Sequence, residues 1–473
     1  MSPRPPPLLS PWQPYLAASL KKNTPTLANL KNNAYFCRIN ASHPPFTTRL
    51  MKILHTADLH LGQIIYQNYD RIDEHQHFFR QLEAWCLEEH PDALLVSGDI
   101  FDIQQPSASV KKAFTDYFVH LHTACPDMHI IVVAGNHDSA SRLQADNAVW
   151  KFANTTLIGL APSNELLKSP DGWQDNYIVR LSSGFVIALP YMIGERKDLM
   201  QSLLDYVNGQ NTANLPVVMM GHLAVTGSDA TGHGFEIGKI ATQDVASLGQ
   251  GYDYLALGHI HKPQTIGHPD DALADEVSYP APVVRYSGSA LHVSCDETYP
   301  HTVSLVDIDR HKGQVNLRQL RIDELRHFFV LPADDASFTS AEDAIKAIRA
   351  FAERQKKGYF RLRIDYKTAL PSNFTQMVYE AIATYSDEIR YNPKIIWTGM
   401  PDNDPTETVK PTFEIADLQQ MTEPFKFVEK TIDQYPELDL DEVRQAFREI
   451  SEEVKRMDEE DRQKANAKNK KDK

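Results

Sequence analysis

Seven side chains carry the metal-binding chemistry that this sequence offers: Asp58, His60, Asp99, Asn136, His222, His259 and His261. Asp58 and His60 stand two residues apart at the end of a mostly apolar run, 53–57. Side chains alternate faces along a strand, so residues two apart point the same way as long as strand geometry holds. A carboxylate and an imidazole leaving one strand end together make half a metal site. A similar grammar recurs in four places. Run 93–97 ends in Gly98-Asp99, run 130–134 in Gly135-Asn136-His137-Asp138, run 217–220 in Gly221-His222, and run 254–257 in Gly258-His259-Ile260-His261. In each of these a glycine closes the run, where it allows a sharp turn and a close approach.

Seven nitrogen and oxygen donors exceed what one tetrahedral zinc takes. They suit two cations that share a bridging carboxylate and keep positions open for water and substrate. With no thiolate in the set, harder ions such as manganese or iron are favoured over a closed zinc site. Two cations roughly 3.5–4 Å apart suit in-line attack of a polarised water on phosphorus. The leaving oxygen then needs a proton. His137, beside Asn136, is the expected donor, and Asp138 is expected to orient its imidazole. His55 is expected in the core or behind the ligands, and His233, His268 and His292 on the surface. Segment 232–239 loosely resembles a phosphate loop. Five residues rather than four separate Gly232 from Gly238, however, and Ile240 stands where Ser or Thr is needed, so nucleotide binding there is excluded.

The elements that must position these donors read as α/β. Strand 52–57 precedes a helix near 75–89, with Phe78, Phe79, Leu82, Trp85 and Cys86 on one face. Strand 93–97, a helix near 109–122 (Val110, Ala113, Phe114, Tyr117, Phe118 and Leu121 at helical spacing) and strand 130–134 follow. This rhythm implies parallel strands with right-handed crossovers, and ligands collect outside the carboxyl ends of such strands. Residues 155–310 read as richer in strand (155–158, 177–181, 185–190, 217–221, 254–258 and 302–308), with a helix near 197–208. A long Pro-bearing loop at 265–286 is expected to act as a lid or substrate loop.

Residues 325–398 read as a separate α+β unit: strand 327–331, helix 341–355, an alternating strand 359–366, helix 374–385 and strand 394–397. Arg361 and Arg363, on the outer side of that alternation, are expected to be a solvated face rather than a grip on a phosphate backbone. A polar linker, 399–411, leads to a helical tail. There Leu440, Val443, Phe447, Ile450, Val454 and Met457 form a narrow coiled-coil-like seam suited to a partner helix or to docking on the chain itself.

Composition sets the outer bounds. The chain has 473 residues and a formal net charge of −15. That acidity argues against tight unaided binding to a phosphate backbone, although bound cations would invert the field within one cleft. No apolar run approaches the ~18 residues that cross a bilayer. The four cysteines, Cys37, Cys86, Cys125 and Cys295, are scattered, which suits a reducing compartment and argues against a disulfide scaffold. Residues 1–50 contain no Asp or Glu and are rich in Pro, Asn, Ser and Thr; they are expected to be a disordered or mis-assigned leader, with the natural start at Met51.

The five motifs in this order resemble the calcineurin-like metallophosphoesterase superfamily. Their flanks, 55–62, 258–264 and 286–289, resemble its SbcD family of nuclease subunits. The resemblance implies a four-layer metallophosphoesterase β-sandwich flanked by helices, a small α+β capping domain and a helical C-terminal tail. The corresponding boundaries are 1–50 for the leader, 51–320 for the nuclease domain, 321–400 for the capping domain and 401–473 for linker and tail. It also implies manganese-dependent cleavage of DNA, as a double-strand exonuclease and a single-strand or hairpin endonuclease. By the same resemblance Asp58, His60 and His261 would hold one metal and Asn136, His222 and His259 the other, with Asp99 bridging and His137 assisting the leaving group. The implied partners are DNA, an SbcC-like coiled-coil ATPase gripped by the tail, and a second copy of the chain within a heterotetramer. Asp102 departs from the pattern, standing where archaeal relatives carry His. A small-molecule phosphodiesterase on the same core is the competing enzyme reading; a scaffold whose tail recruits a partner is the non-enzymatic one, which the complete ligand set disfavours.

Overall fold

A computed structural model describes residues 50–399, apart from 67–68, 164–165, 169–171, 193–196, 232–241, 269–273, 294–296, 298, 334–335 and 386–387. The leader, the tail with its seam, segment 232–239 with His233, and Cys37 and Cys295 lie outside the described residues. Cys86 and Cys125 are free thiols.

The first α/β run comprises β1 (Met51–Thr56), a hairpin of β2 (Ile64–Ile65) and β3 (Tyr69–Asp70), α1 (Ile72–Glu89), β4 (Ala93–Ser97), α2 (Ala108–Ala124), β5 (His129–Val133), α3 (Ala140–Trp150) and β6 (Thr155–Ile158). Then come β7 (Ile178–Leu181), β8 (Gly184–Ala188), α4 (Lys197–Gln210), β9 (Val217–His222), β10 (Tyr254–Gly258), β11 (Gln264–Thr265), β12 (Glu276–Pro280), β13 (Val283–Tyr286), β14 (Thr302–Asp309) and β15 (Gln314–Arg321). One sheet has the order β12-β15-β14-β1-β4-β5-β6, with β1, β4, β5 and β6 parallel. The other has the order β11-β13-β10-β9-β8-β7, with β8, β9, β10 and β13 parallel.

Alternation along the central strands builds the layers. Ile53, Leu95, Ile131 and Val133 face the second sheet, in one apolar cluster with Met219, Leu255 and the α4 residues Leu203 and Val207. Leu54, Leu94, Val96, Ile130 and Val132 face the other way, onto Phe78, Phe79 and Leu82 of α1 and Phe114, Phe118 and Leu121 of α2. The result is helix, sheet, sheet, helix: the metallophosphoesterase sandwich. Among the described residues no helix is long and apolar enough to cross a membrane.

The region expected to be a loop, 265–286, contains β12 and β13. Pro280 and Pro282 read as loop signals, but they bracket the point where the chain leaves the seven-stranded sheet for the six-stranded one. β12 is an edge strand, so the missing N–H of Pro280 costs no central ladder bond. Helix α3 carries little amphipathic signal because its buried residues are Leu143 and Trp150. α1 begins at Ile72, three residues before the expected 75, which places Glu74 in its first turn.

The remaining elements are β16 (Phe328–Leu331), α5 (Ala341–Gln355), β17 (Gly358–Asp365), α6 (Phe374–Ile382), β18 (Ile389–Tyr391) and β19 (Ile396–Thr398). They form a four-stranded sheet whose Phe360, Leu362 and Ile364 pack on Ile348 and Phe351 of α5 and Val378 and Ile382 of α6, a core of their own. Arg361 and Arg363 are half-buried on the alternate positions.

A buried carboxylate is one of the points where this small unit meets the sandwich. Glu74 accepts from Arg71 Nη2 at 2.6 Å, from Arg390 Nη1 of β18 at 3.1 Å and from the Tyr359 hydroxyl of β17, with Arg326 Nη1 at 3.4 Å. His292, expected on the surface, is buried: its ring packs on His301 and on Phe328 of β16. Loop position did not make it exposed, because the small unit covers that loop. His55 is fully buried and shares a 2.9 Å hydrogen bond between Nδ1 and the Tyr254 hydroxyl, and His268 is exposed, both as expected.

Candidate metal centre

The pocket forms where both sheets present strand carboxyl ends. Asp58 and His60 follow β1, Asp99 follows β4, Asn136 and His137 follow β5, His222 ends β9, and His259 and His261 follow β10. Strand geometry does not carry Asp58 and His60 into place. Both are left-handed, with φ of 51° and 44°, and so are Asp99 at 48° and His259 at 96°. Such backbone costs of order 1–3 kcal/mol per residue and persists only where the surroundings over-determine it. Here the ladder runs on past the strands: Asp58 N–H donates to Gly98 O at 3.0 Å, His60 N–H to Asp99 O at 3.0 Å, and Leu61 N–H to Ile100 O at 2.9 Å. The Asp58 carboxylate accepts from His259 N–H at 3.0 Å, tying the two sheets together.

The glycines differ in what they do. A Cβ on Gly98 would lie 2.2 Å from His222 Nδ1, one on Gly135 2.0 Å from Asp99 Oδ1, and one on Gly258 1.9 Å from Ser97 O. On Gly221 it would make an ordinary contact, 3.6 Å from Leu223. Gly135→Ala is therefore expected to displace the Asp99 carboxylate. It should lower stability by about 1–3 kcal/mol and reduce bound metal, whereas Gly221→Ala does neither. Thermal melts with elemental analysis check this, and matching behaviour of the two variants would refute it.

The donors converge. Ligand atoms of Asp58, His60 and His261 lie within 4.8 Å of one another, and so do those of Asp58, Asp99 and His222. Asp99 Oδ2 is 3.4 Å from His222 Nε2 and 3.9 Å from His60 Nε2, between the two groups. Asn136 Oδ1 stands 2.9 Å from His222 Nε2 and 3.1 Å from His259 Nδ1. His222 Nδ1 donates to Ser97 O at 2.9 Å, so Nε2 carries the lone pair into the pocket when the ring is neutral. All seven expected donors are thus brought to one place.

The pocket's electrostatics call for positive charge. Asp99 is held below the usual carboxylate range; burial opposes this, but the charge and hydrogen bond of His222, then His60 and His137, outweigh it. His222 is raised to about 9: burial works against it, and Asp99 and Asp58 prevail. Burial, above all, pushes Asp58 up to about 7. His60 is 3% exposed; its Nδ1 lies 3.4 Å from Asp102 Oδ1, and its Nε2 has no hydrogen-bond partner among the described residues. Two carboxylates, unsatisfied imidazole nitrogen and an amide oxygen aimed at one space fit hard divalent cations.

One expectation fails. Asp138 does not orient His137. Its carboxylate accepts from Ile100 N–H at 3.1 Å, Phe101 N–H at 2.9 Å and Gly135 N–H at 2.8 Å, and so fastens the turn after Asp99 to the turn before Asn136. His137 Nδ1 instead donates to the backbone carbonyl of Asp102 at 2.8 Å. The sequence reading also missed Glu297, whose Oε1 accepts from His261 Nδ1 at 3.0 Å. No local pattern announces it, since 36 residues separate the pair.

The family model for calcineurin-like phosphoesterases matches residues 51–263, a span that holds every donor above. The SbcD component of the SbcCD nuclease of Escherichia coli (strain K12) is 31% identical over 322 residues, 61% of this chain and 73% of its own length. The chain belongs to the SbcD family. Another SbcD, that of Bacillus subtilis (strain 168), is 27% identical over 271 residues, covering 54% of this chain and 66% of its own. The DNA double-strand break repair protein Mre11 of Aeropyrum pernix is 30% identical over 221 residues, 45% of this chain and 49% of its own. As an SbcD-family metallophosphoesterase, this chain is a metal-dependent phosphodiester hydrolase.

Proposed function

We propose that this chain is the nuclease subunit of a DNA-end-processing complex. It would cleave double-stranded ends as an exonuclease and single strands or hairpins as an endonuclease, in repair, replication and recombination. Two manganese ions would be held, one by Asp58, His60 and His261 and one by Asn136, His222 and His259, with the Asp99 carboxylate available to both. Bound cations supply a polarised water and neutralise the phosphate oxygens. The observation that carries this reading is Asn136 Oδ1 within 3.1 Å of imidazole nitrogens of both His222 and His259, beside an Asp99 that faces His60 and His222.

The chain's own groups do the rest. Asp99 Oδ1 accepts from His137 N–H at 2.9 Å, fixing that backbone beside the reacting centre. With Nδ1–H committed to Asp102 O, the imidazolium form of His137 would carry its second proton on Nε2 and give it to the departing oxygen, leaving the neutral Nδ1–H ring. The His60 ring stands edge-on to it, centroids 5.0 Å apart, and limits its swing. The net charge of −15 leaves phosphate binding to the cations and to a partner, an SbcC-like coiled-coil ATPase held by residues 401–473. We place the complex in the cytoplasm as a heterotetramer around a nuclease homodimer, and take 51–320 as the nuclease domain and 321–400 as the cap.

The test compares manganese-dependent cleavage of hairpin DNA with that of a chromogenic phosphodiester. Hairpin cleavage that exceeds dye turnover supports the nuclease; dye turnover alone would favour a small-molecule phosphodiesterase. His137→Ala is expected to keep both metals and lose about 10²–10⁴-fold in rate. Loss of metal from that variant would make His137 structural instead.

A further inference from the structure

We propose that Glu297 is a positioning residue for His261, and that a column of rings from Glu297 to the small α+β unit couples the seating of that unit to the orientation of His261. This rests on the reading of His261 as a metal ligand.

The column is continuous. A carboxylate only accepts, so the 3.0 Å contact between Glu297 Oε1 and His261 Nδ1 places the proton on Nδ1. His261 Nε2 is thereby left with its lone pair, and the ring's own position, centroid 5.3 Å from that of His60, sets it within the pocket. Glu297 is itself held. Its Oε2 accepts from Val293 N–H at 3.0 Å, and the His301 ring packs against it, with Nε2 3.4 Å away and making no hydrogen bond among the described residues. His301 is pinned through Nδ1 to Ser289 O at 2.9 Å. The His292 ring packs on His301, centroids 4.1 Å apart, and on Phe328 at 5.0 Å. Phe328 stacks on Tyr359 at 4.6 Å and 10°, and Tyr359 donates to Glu74, the carboxylate that fastens the unit down. Arg71 closes the loop, donating both to Glu74 and to the carbonyl of His292. A cavity of about 310 Å³ lined by Glu297, Tyr299, Glu324 and Phe328 runs beside the column. The metal pocket and the small unit therefore share one packed path.

The experiment is manganese titration of the full chain by calorimetry, with Mn²⁺ electron paramagnetic resonance to count bound ions, on the wild type and on Glu297→Ala, Glu297→Gln and Phe328→Ala. Glu297→Ala is expected to weaken one of two manganese sites about 10–100-fold and spare the other. Glu297→Gln keeps an acceptor without the charge and should recover part of that loss. Phe328→Ala, remote from the pocket, should weaken the same site by about threefold or more. Wild-type affinity in Glu297→Ala, or equal loss at both sites, overturns the positioning role; should that variant not fold, Glu297→Leu, which fills the space without an acceptor, is read in its place by the same outcomes. Unchanged affinity in Phe328→Ala overturns the coupling. A wild type that binds no manganese refutes the ligand reading itself, a distinct result.

Discussion

Asp99→Asn is expected to lower phosphodiester hydrolysis at saturating manganese by at least ~10³-fold and to leave fewer than two ions bound per chain. The argument is electrostatic rather than steric. Asparagine keeps the shape and the acceptor that Asp99 Oδ1 offers to His137 N–H at 2.9 Å, so the turn survives. What disappears is the negative charge 3.4 Å from His222 Nε2 and 3.9 Å from His60 Nε2, the position that faces both donor groups. At 2% exposure, solvent does not replace that charge. Turnover of a chromogenic diester, elemental analysis and a thermal melt separate the effects. A variant that holds two ions and works within tenfold of wild type would remove Asp99 from the centre of the mechanism.

Glu74→Ala is expected to cost about 3–5 kcal/mol of stability, because it strands buried cations rather than merely removing one bond. Arg71 and Arg326 have side chains 2% exposed and Arg390 9%, and all three converge on this carboxylate. Arg326 keeps Asp73 at 2.6 Å and Glu388 at 3.0 Å, and Arg390 keeps the carbonyl of Asp70 at 2.8 Å, which bounds the loss from above. Arg71 fares worst, since its strongest partner goes and Gln63 Oε1 at 2.9 Å offers no charge. Urea denaturation followed by far-ultraviolet circular dichroism measures the change. A loss below about 1 kcal/mol would show that the guanidinium groups find water or other carboxylates, and that the attachment of the small unit lies elsewhere.

The two residues differ in how visible they were. Asp99 stands directly after a strand and a glycine, a pattern that recurs, and repetition made each instance credible. Glu74 stands in a polar helix start that looks like any solvated first turn. Its partners come from a loop, from the approach to β16 and from β18, at separations up to 316 residues. The same holds for Glu297 against His261. Asp138 misled because it is adjacent in sequence to His137, while its carboxylate points at backbone N–H groups across the turn.

Local sequence picked out the seven side chains that the fold brings together, the parallel strands that end at them and the apolar alternation that makes two faces per strand. Each of these depends on residue type and short spacing, which are properties of a single segment. The tertiary structure alone decided which nitrogen of His222 and of His261 faces the pocket, the left-handed backbone at Asp58, His60, Asp99 and His259, and the carboxylates behind and beside the site. Those depend on which carbonyl or carboxylate another segment brings within hydrogen-bond reach, and no stretch of chain contains that information about its future neighbour.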